Sequence, residues 1–140
     1  FWGPNISKGS CKKPVQLIDI YPTLLELTQI SPDKLHEGHS LISILKGKEE
    51  KWPHHARTTF GPGNHAIISE NYRYIRYNDD TEEFYDHTND PHEWKNKSKE
   101  PKYQKLIDQY RALLPEDEFI ALGKGSTGHI SYQISESPKN

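Results

Sequence analysis

The polar side chains best placed for chemistry lie in a glycine-rich segment, Gly61-Pro62-Gly63-Asn64-His65. Glycine and proline at these positions predict a tight turn between two extended segments. Such a turn can present side chains with no helix or sheet covering them, and an imidazole there can face an anionic ligand. Asn64 and His65 are therefore candidate substrate-binding residues. The alternative is that both side chains simply close the turn.

Two pairs of histidines could supply metal ligands by residue type, but their spacing does not suit a metal site. His54 and His55 are adjacent, so on an extended segment their side chains point to opposite faces. His36 and His39 are three residues apart, but Gly38 lies between them and no set of carboxylates surrounds them. Because zinc needs several converging ligands, the sequence predicts packing or surface roles for these histidines and no metal site.

The composition argues against several classes of partner. The 140 residues are 27% charged and 32% hydrophobic, and the formal net charge is -2 at pH 7. This balance argues against binding to nucleic acid or to an anionic membrane through bulk charge. The nearest approach to a basic cluster is Lys12-Lys13, which is typical of a solvated surface. No apolar run approaches the roughly 20 residues of a membrane-spanning helix.

Two further features of the composition concern the extent of the chain and its cysteine. The sequence contains no methionine, so we expect it to be an internal-to-C-terminal piece of a longer protein. Cys11 is the only cysteine and cannot form a disulfide within the chain.

Hydrophobic spacing predicts three helical segments. Leucine and isoleucine recur at helical spacing over about 18–29, with Asp19 as a candidate cap that accepts backbone N–H groups. A break at Ser31-Pro32-Asp33 follows. A short turn over 40–45 ends at Gly47, which suits a left-handed cap. An amphipathic helix is expected over about 101–114.

Between the second and third helical segments the hydrophobic period changes to two, which predicts a meander of antiparallel strands. The tail, 116–140, is rich in glycine and serine, and we expect it to be partly disordered or to add an edge strand at 130–134. The predicted fold class is α+β, a small antiparallel sheet with a packed C-terminal helix. The four strands are expected at 56–60, 66–69, 72–77 and 83–86.

Three stretches carry a resemblance to a known family. They are KPVQLIDIYPTLLEL at 13–27, the strands at 68–77 and 83–86, and NDPHEWKN at 89–96. In this order they resemble the C-terminal part of type I sulfatases of the alkaline-phosphatase-like superfamily. The resemblance is closest to iduronate-2-sulfatase-like and choline-sulfatase-like bacterial enzymes. It covers about residues 1–115.

The polar residues of these motifs are expected to have scaffold roles. Asp90 precedes Pro91, and its side chain can bond the backbone two residues further on. Glu93 and Asn96 are expected to tie the same loop down, since polar turn residues usually satisfy backbone groups.

The resemblance implies a division of the chain and a partner for it. Residues 1–50 would end the catalytic α/β domain, with the helix at 18–29 at its edge, and 51–115 would form a C-terminal antiparallel-sheet subdomain with a terminal helix. Residues 116–140 would be a tail. The chain would then depend on a missing N-terminal catalytic domain, supply scaffold and one wall of a substrate cleft, and belong to a periplasmic or extracellular protein.

The chemistry that the resemblance implies uses formylglycine, made from the first residue of a Cys/Ser-x-Pro/Ala-x-Arg motif, and a calcium ion. Cys11 does not fit this motif, because Lys13 stands where proline or alanine is required and Val15 where arginine is required. We therefore expect no catalytic residue, no metal ligand and no cofactor in this chain, and no activity from it alone. The substrate of the parent enzyme would be a sulfated carbohydrate or a small sulfate ester.

An alternative function is a non-catalytic carbohydrate-binding or structural module. In that case Tyr72, Tyr74 and Tyr77 would offer aromatic faces to a sugar. An in-frame formylglycine motif upstream of Phe1 distinguishes the first function from this one.

Overall fold

The computed structural model of the chain describes residues 1, 3, 6, 8–31, 36–48, 50 and 52–116. The expected break at Pro32-Asp33, the strand at 130–134 and the tail beyond Glu116 lie outside the described residues. The described part forms two compact units: residues 1–56 with 68–70, and 57–67 with the residues from Asn71 onward. Among the described residues, no helix combines the length and apolar character needed to cross a bilayer.

The first unit is helical. A 3-10 turn, Leu17–Asp19, leads into α1, Ile20–Leu27, and the short helix α2 spans Ile42–Leu45. The helix predicted at 18–29 is thus present but shorter. It ends because Gln29 adopts a left-handed φ of 58° and Ile30 donates its N–H to the Leu25 carbonyl at 2.9 Å.

The second helix ends in the same way, at the residue that the sequence predicts. Gly47 has a φ of 71°, and the N–H of Lys48 is 2.8 Å from the Ser43 carbonyl oxygen. A residue with a β-carbon is disfavoured in this conformation, which is why glycine stands here.

The second unit is built on a four-stranded sheet in the order β1-β2-β3-β4. β3 and β4 pair antiparallel, with Tyr74 opposite Phe84. A 3-10 turn, Pro101–Tyr103, precedes α3, Gln104–Arg111. The predicted α+β class and the meander are confirmed. The strands are β1 Ala56–Thr59, β2 His65–Ile68, β3 Tyr72–Arg76 and β4 Glu82–Asp86.

One face of this sheet and α3 enclose the core of the second unit. Its buried residues are Ile67, Tyr74, Phe84, Ile107 and Tyr110. Each fully buried side chain of this size contributes about 1.5–3 kcal/mol through removal of apolar surface from water. Since Tyr74 is completely buried, the expectation that its ring faces a carbohydrate is wrong. Tyr72 is partly buried against the same core, and its role in the alternative function stays a prediction.

The leucine-rich side of the first helical segment lies exposed in the described structure. Leu17 is 85% exposed and Leu24 is 48% exposed. The same holds for Ile18, Ile20, Tyr21 and Leu27. Packing of this face on a sheet of the catalytic domain stays a prediction.

Candidate functional site

The glycine-rich turn that the sequence singles out connects β1 to β2. Phe60 donates its N–H to the Asn64 carbonyl at 3.0 Å, which closes the turn. Gly61 and Gly63 both have left-handed φ angles, 70° and 72°, which side chains with a β-carbon rarely adopt. The sequence therefore fixes both the position and the tight backbone of this turn.

The two candidate binding residues have different surroundings. His65 is the first residue of β2, is 5% exposed, and its Nδ1 shares a 2.9 Å hydrogen bond with Thr59 Oγ1. Asn64 is half-buried and donates its side-chain amide to the Pro62 carbonyl at 3.0 Å. Asn64 Oδ1 also accepts the N–H of Asn78 at 3.3 Å, so the β3–β4 turn lies beside this one.

The side chain that this turn presents most openly is Phe60, which is 75% exposed. Sequence reasoning looked for polar groups and passed over this ring, although a large apolar residue directly before Gly-Pro-Gly is a visible signal. An exposed aromatic ring beside this turn can pack against the body of a ligand. It contains no nucleophile.

A second group of polar residues lies in the first unit, around Asp19. This carboxylate is 1% exposed and accepts two backbone N–H groups, from Gln16 at 2.7 Å and from His39 at 2.9 Å. One turn later, the buried Thr23 hydroxyl accepts the N–H of Leu41 at 2.9 Å. Asp19 thus accepts backbone N–H groups at the helix start as predicted, but it does not cap α1, because its local bond goes back to Gln16. Its second bond holds a loop that the sequence did not connect with it.

His39 and His54, one from each of the two histidine pairs considered above as metal ligands, are in contact. The rings of His39 and His54 stack with centroids 3.7 Å apart and planes 14° from parallel. The rings of Trp52 and His54 form a T-shaped pair with centroids 4.6 Å apart, and Trp52 donates its indole N–H to the Pro14 carbonyl at 2.9 Å. Because the lone pairs of stacked imidazoles lie in two parallel planes, their nitrogens do not converge on one ion. Packing is the role of these rings.

Cys11 is half-buried, and its sulfur accepts the N–H of Lys13 at 3.3 Å. Among the described residues, no three histidine, cysteine or acidic side chains come together in a way that could hold a metal ion.

The Asn-Asp-Pro turn after β4 is held as a rigid unit. Asp90 accepts the N–H of Lys95 at 2.8 Å, five residues on and not two as predicted. Glu93 binds His87 at 2.7 Å and Arg73 at 3.0 Å. Asn96 accepts the N–H of Phe84 at 3.1 Å, which ties the loop to β4. The expected scaffold roles of Glu93 and Asn96 are confirmed.

Comparison with known families places this chain among sulfatase domains. Residues 2–118 match the family model described as N-sulphoglucosamine sulphohydrolase, C-terminal. The matched region includes parts of both units and all the strands and helices given above.

Individual relatives agree with the family match. A sulfatase of Formosa agariphila is 43% identical over 117 residues, covering 83% of this chain and 23% of that protein. A Delta 4,5-hexuronate-2-O-sulfatase of Bacteroides thetaiotaomicron is 34% identical, covering 99% of this chain and 31% of that protein. The solved structure of a 2-O GAG sulfatase superposes with a TM-score of 0.64 at 29% identity, covering 79% of this chain and 27% of that one. The chain therefore spans about a quarter to a third of the length of the curated relatives it matches.

Proposed function

Because the chain belongs to the C-terminal domain family of type I sulfatases, within the alkaline-phosphatase-like superfamily, we propose that its parent protein hydrolyses sulfate esters of carbohydrates. The observation that carries this proposal is the family match over residues 2–118, together with 43% identity to a sulfatase. The names of two relatives, a hexuronate-2-O-sulfatase and a 2-O GAG sulfatase, favour a sulfated saccharide over a small ester such as choline sulfate.

Within that protein, we propose that this chain supplies scaffold and one wall of the substrate cleft. The support for this is the β1–β2 turn, at whose ends Phe60 is exposed and Asn64 is half-buried. Contact of Asn64 and His65 with substrate stays a prediction. The burial of His65 and its hydrogen bond to Thr59 favour a positioning role for the imidazole.

The family implies a formylglycine nucleophile and a calcium ion, and the described residues of this chain fit neither. No cluster of carboxylates or histidines among them could hold the ion. Cys11 lacks the flanking residues of the formylglycine motif. The proposal therefore assigns both groups to the rest of the parent protein, which we expect to be periplasmic or extracellular, and it routes no chemical step through this chain.

The test of this function begins with the coding sequence upstream of Phe1. We expect an in-frame Cys/Ser-x-Pro/Ala-x-Arg motif there, and the intact parent protein is expected to hydrolyse a generic aryl sulfate. Replacing the cysteine or serine of that motif with alanine should abolish the activity, because it removes the nucleophile. Absence of the motif, or hydrolysis that survives the replacement, would contradict the proposal.

A further inference from the structure

The second unit carries a basic segment that the overall charge conceals. Residues 92–105 contain five lysines and two glutamates, a net charge of +3 with His92 neutral, in a chain whose formal net charge is -2. Unlike Lys12-Lys13, none of these lysines is adjacent to another, so they do not form a visible basic run. Clustered lysines of this kind are typical of surfaces that bind polyanions such as heparin. The five are Lys95, Lys97, Lys99, Lys102 and Lys105.

A large aromatic ring stands at the beginning of this segment. Trp94 is 82% exposed, and the ring of His92 stacks beside it with centroids 5.5 Å apart and planes 25° from parallel. Tryptophan is highly buried on average in folded proteins. An indole this exposed, next to a second ring, is a surface able to pack on a flat apolar ligand face.

The backbone beneath Trp94 is fixed before any ligand arrives. The Asp90 carboxylate accepts the N–H groups of both Trp94 and Lys95, the latter at 2.8 Å. Glu93, which precedes the tryptophan, has a left-handed φ of 58°, and its carboxylate is bound by Arg73 and His87. Because the turn is already ordered, binding there costs less conformational entropy than binding to a flexible loop.

Several of the positive charges are available to a ligand. Lys97 and Lys102 are both within 4 Å of Glu100, at 2.6 Å and 3.6 Å. Lys95, Lys99 and Lys105 are exposed, and within residues 52–116 none of them forms an ion pair. These three ammonium groups can pair with anionic groups of a ligand.

We propose that Trp94 and the lysines of residues 95–105 form a surface site for a sulfated polysaccharide chain. A pyranose ring presents an apolar face of C–H groups that packs on an aromatic ring, and the sulfate groups of neighbouring sugars pair with the ammonium groups. The site rests on the exposure of Trp94 and of these lysines and on the ordered backbone beneath Trp94. The choice of a sulfated saccharide over another polyanion also rests on the proposed function.

The test measures binding of the intact parent protein to heparin, to heparin with its sulfates removed, and to a DNA duplex of similar length. Heparin is expected to bind tightest of the three. The triple variant Lys95→Gln, Lys99→Gln, Lys105→Gln should weaken heparin binding by about tenfold or more, since each ammonium group near a polyanion contributes a factor of a few. Trp94→Ala should weaken it several-fold, and Trp94→Phe should retain most of the affinity.

A matched control removes the same charge elsewhere. Lys8, Lys46 and Lys48 are exposed lysines of the first unit, and their joint replacement with glutamine should change heparin binding less than about twofold. Thermal unfolding of every variant excludes loss of folding as the cause. Equal effects of the two triple variants would overturn the proposal. So would equal binding to the desulfated chain, or DNA binding as tight as heparin binding.

The proposed function is tested separately, by measuring hydrolysis of an aryl sulfate by the unmodified parent protein. Hydrolysis without heparin binding would contradict the proposed polysaccharide site and support the proposed function. Heparin binding that depends on Trp94 and the lysines, without hydrolysis, would support the proposed polysaccharide site and contradict the proposed function.

Discussion

The Asp19 carboxylate accepts the backbone N–H of His39 at 2.9 Å, although 20 residues separate them in the sequence. Thr23 lies one helical turn after Asp19 and accepts the N–H of Leu41 at 2.9 Å. The Asp-Ile-Tyr-Pro-Thr motif thus does two things, because it starts α1 and also anchors the loop that leads to α2. A buried carboxylate with two backbone donors is costly to disturb, since loss of either partner leaves a buried group unsatisfied.

This anchoring requires a close approach at Gly38. A β-carbon at Gly38 would lie 2.1 Å from the backbone oxygen of Ile18, so the loop would have to move away from the helix start. We expect Gly38→Ala to destabilise the protein by about 1–3 kcal/mol, as overpacked sites generally do. Chemical denaturation measures this. Gly9→Ala is the control, because nothing lies within 4 Å of that position, and an equal effect of the two changes would contradict the close approach.

The His39–His54 stack predicts a loss of stability in acid. Burial and the neighbouring imidazole of His39 hold the pKa of His54 below its ordinary value of 6.5, against the opposite effect of the Asp19 carboxylate. The unfolded chain then binds the proton more readily than the folded one. This contribution to stability is therefore complete above about pH 6.5 and is lost as the pH falls below it.

Replacing His54 with glutamine is the corresponding experiment. The free energy of unfolding is measured at about pH 7.5 and about pH 5.5, and the variant should lose less stability between them than the unmodified protein. His92→Gln, a change at an exposed histidine of the other unit, should leave the pH dependence as it was. A steeper loss in the His54 variant would contradict the sign of the pKa shift.

A second pH effect comes from Asp86 at the end of β4. Burial raises its pKa, but hydrogen bonds from Thr88, Asn89 and Tyr103 outweigh burial and lower the pKa to about 2. The stability that this group contributes is present above the ordinary value of 3.8 and is lost as the pH falls toward about 2. Acid unfolding below about pH 4 should thus include this group.

The Tyr103 hydroxyl donates to Asp86 Oδ2 at 2.8 Å and can be removed without changing the ring. Tyr103→Phe is expected to destabilise the protein by about 1–2 kcal/mol at neutral pH, where Asp86 is ionised, and by less near pH 2. Tyr21→Phe, at an exposed tyrosine of α1, is the control. If Tyr103→Phe cost as much near pH 2 as at pH 7, the bond would not depend on the ionised carboxylate.

A change in the β1–β2 turn is expected to affect kcat/KM differently for large and small substrates. His65→Ala should lower kcat/KM of the parent enzyme for a sulfated saccharide by about tenfold, or ~1.4 kcal/mol, and for a small aryl sulfate much less. The reason is that a small substrate does not reach the turn. Since His65 is buried, thermal unfolding is measured in parallel, and Thr59→Val serves as the variant that removes only the hydrogen bond. Equal losses on both substrates would mean that His65 only closes the turn.

The local patterns in the sequence were enough to place most elements. Leucine spacing predicts α1, alternation predicts the meander, Gly47 predicts a left-handed cap and Gly61 a tight turn, all of which the structure contains. These features depend on neighbours along the chain. What the sequence could not provide were contacts between distant segments, such as Asp19 with His39 and His39 with His54. Their geometry depends on how the loops fold back against the helix start, and hydrophobic periodicity does not indicate this.

For the candidate site, the sequence likewise predicted the local backbone but not which side chains are buried. Gly-Pro-Gly correctly indicated the turn, but not that β2 begins at His65 and buries it. The exposed Phe60 and Trp94 were missed because a single aromatic residue in a sequence does not show whether it is buried. Tyr74 was misjudged for the converse reason, since its ring is completely buried in the core that the sheet and α3 enclose.

The most direct test of the sulfatase assignment is the release of inorganic sulfate from a 2-O-sulfated glycosaminoglycan disaccharide. It is measured for the intact parent protein and for the isolated 140-residue chain in the same buffer with calcium. The account predicts release by the parent protein and none above background by the chain alone, because we assign nucleophile, metal ligands and sulfate donors to the rest of the protein. No release by the parent protein from this disaccharide or any other sulfate ester would contradict the account. So would calcium-dependent release by the chain alone that is lost on Cys11→Ser.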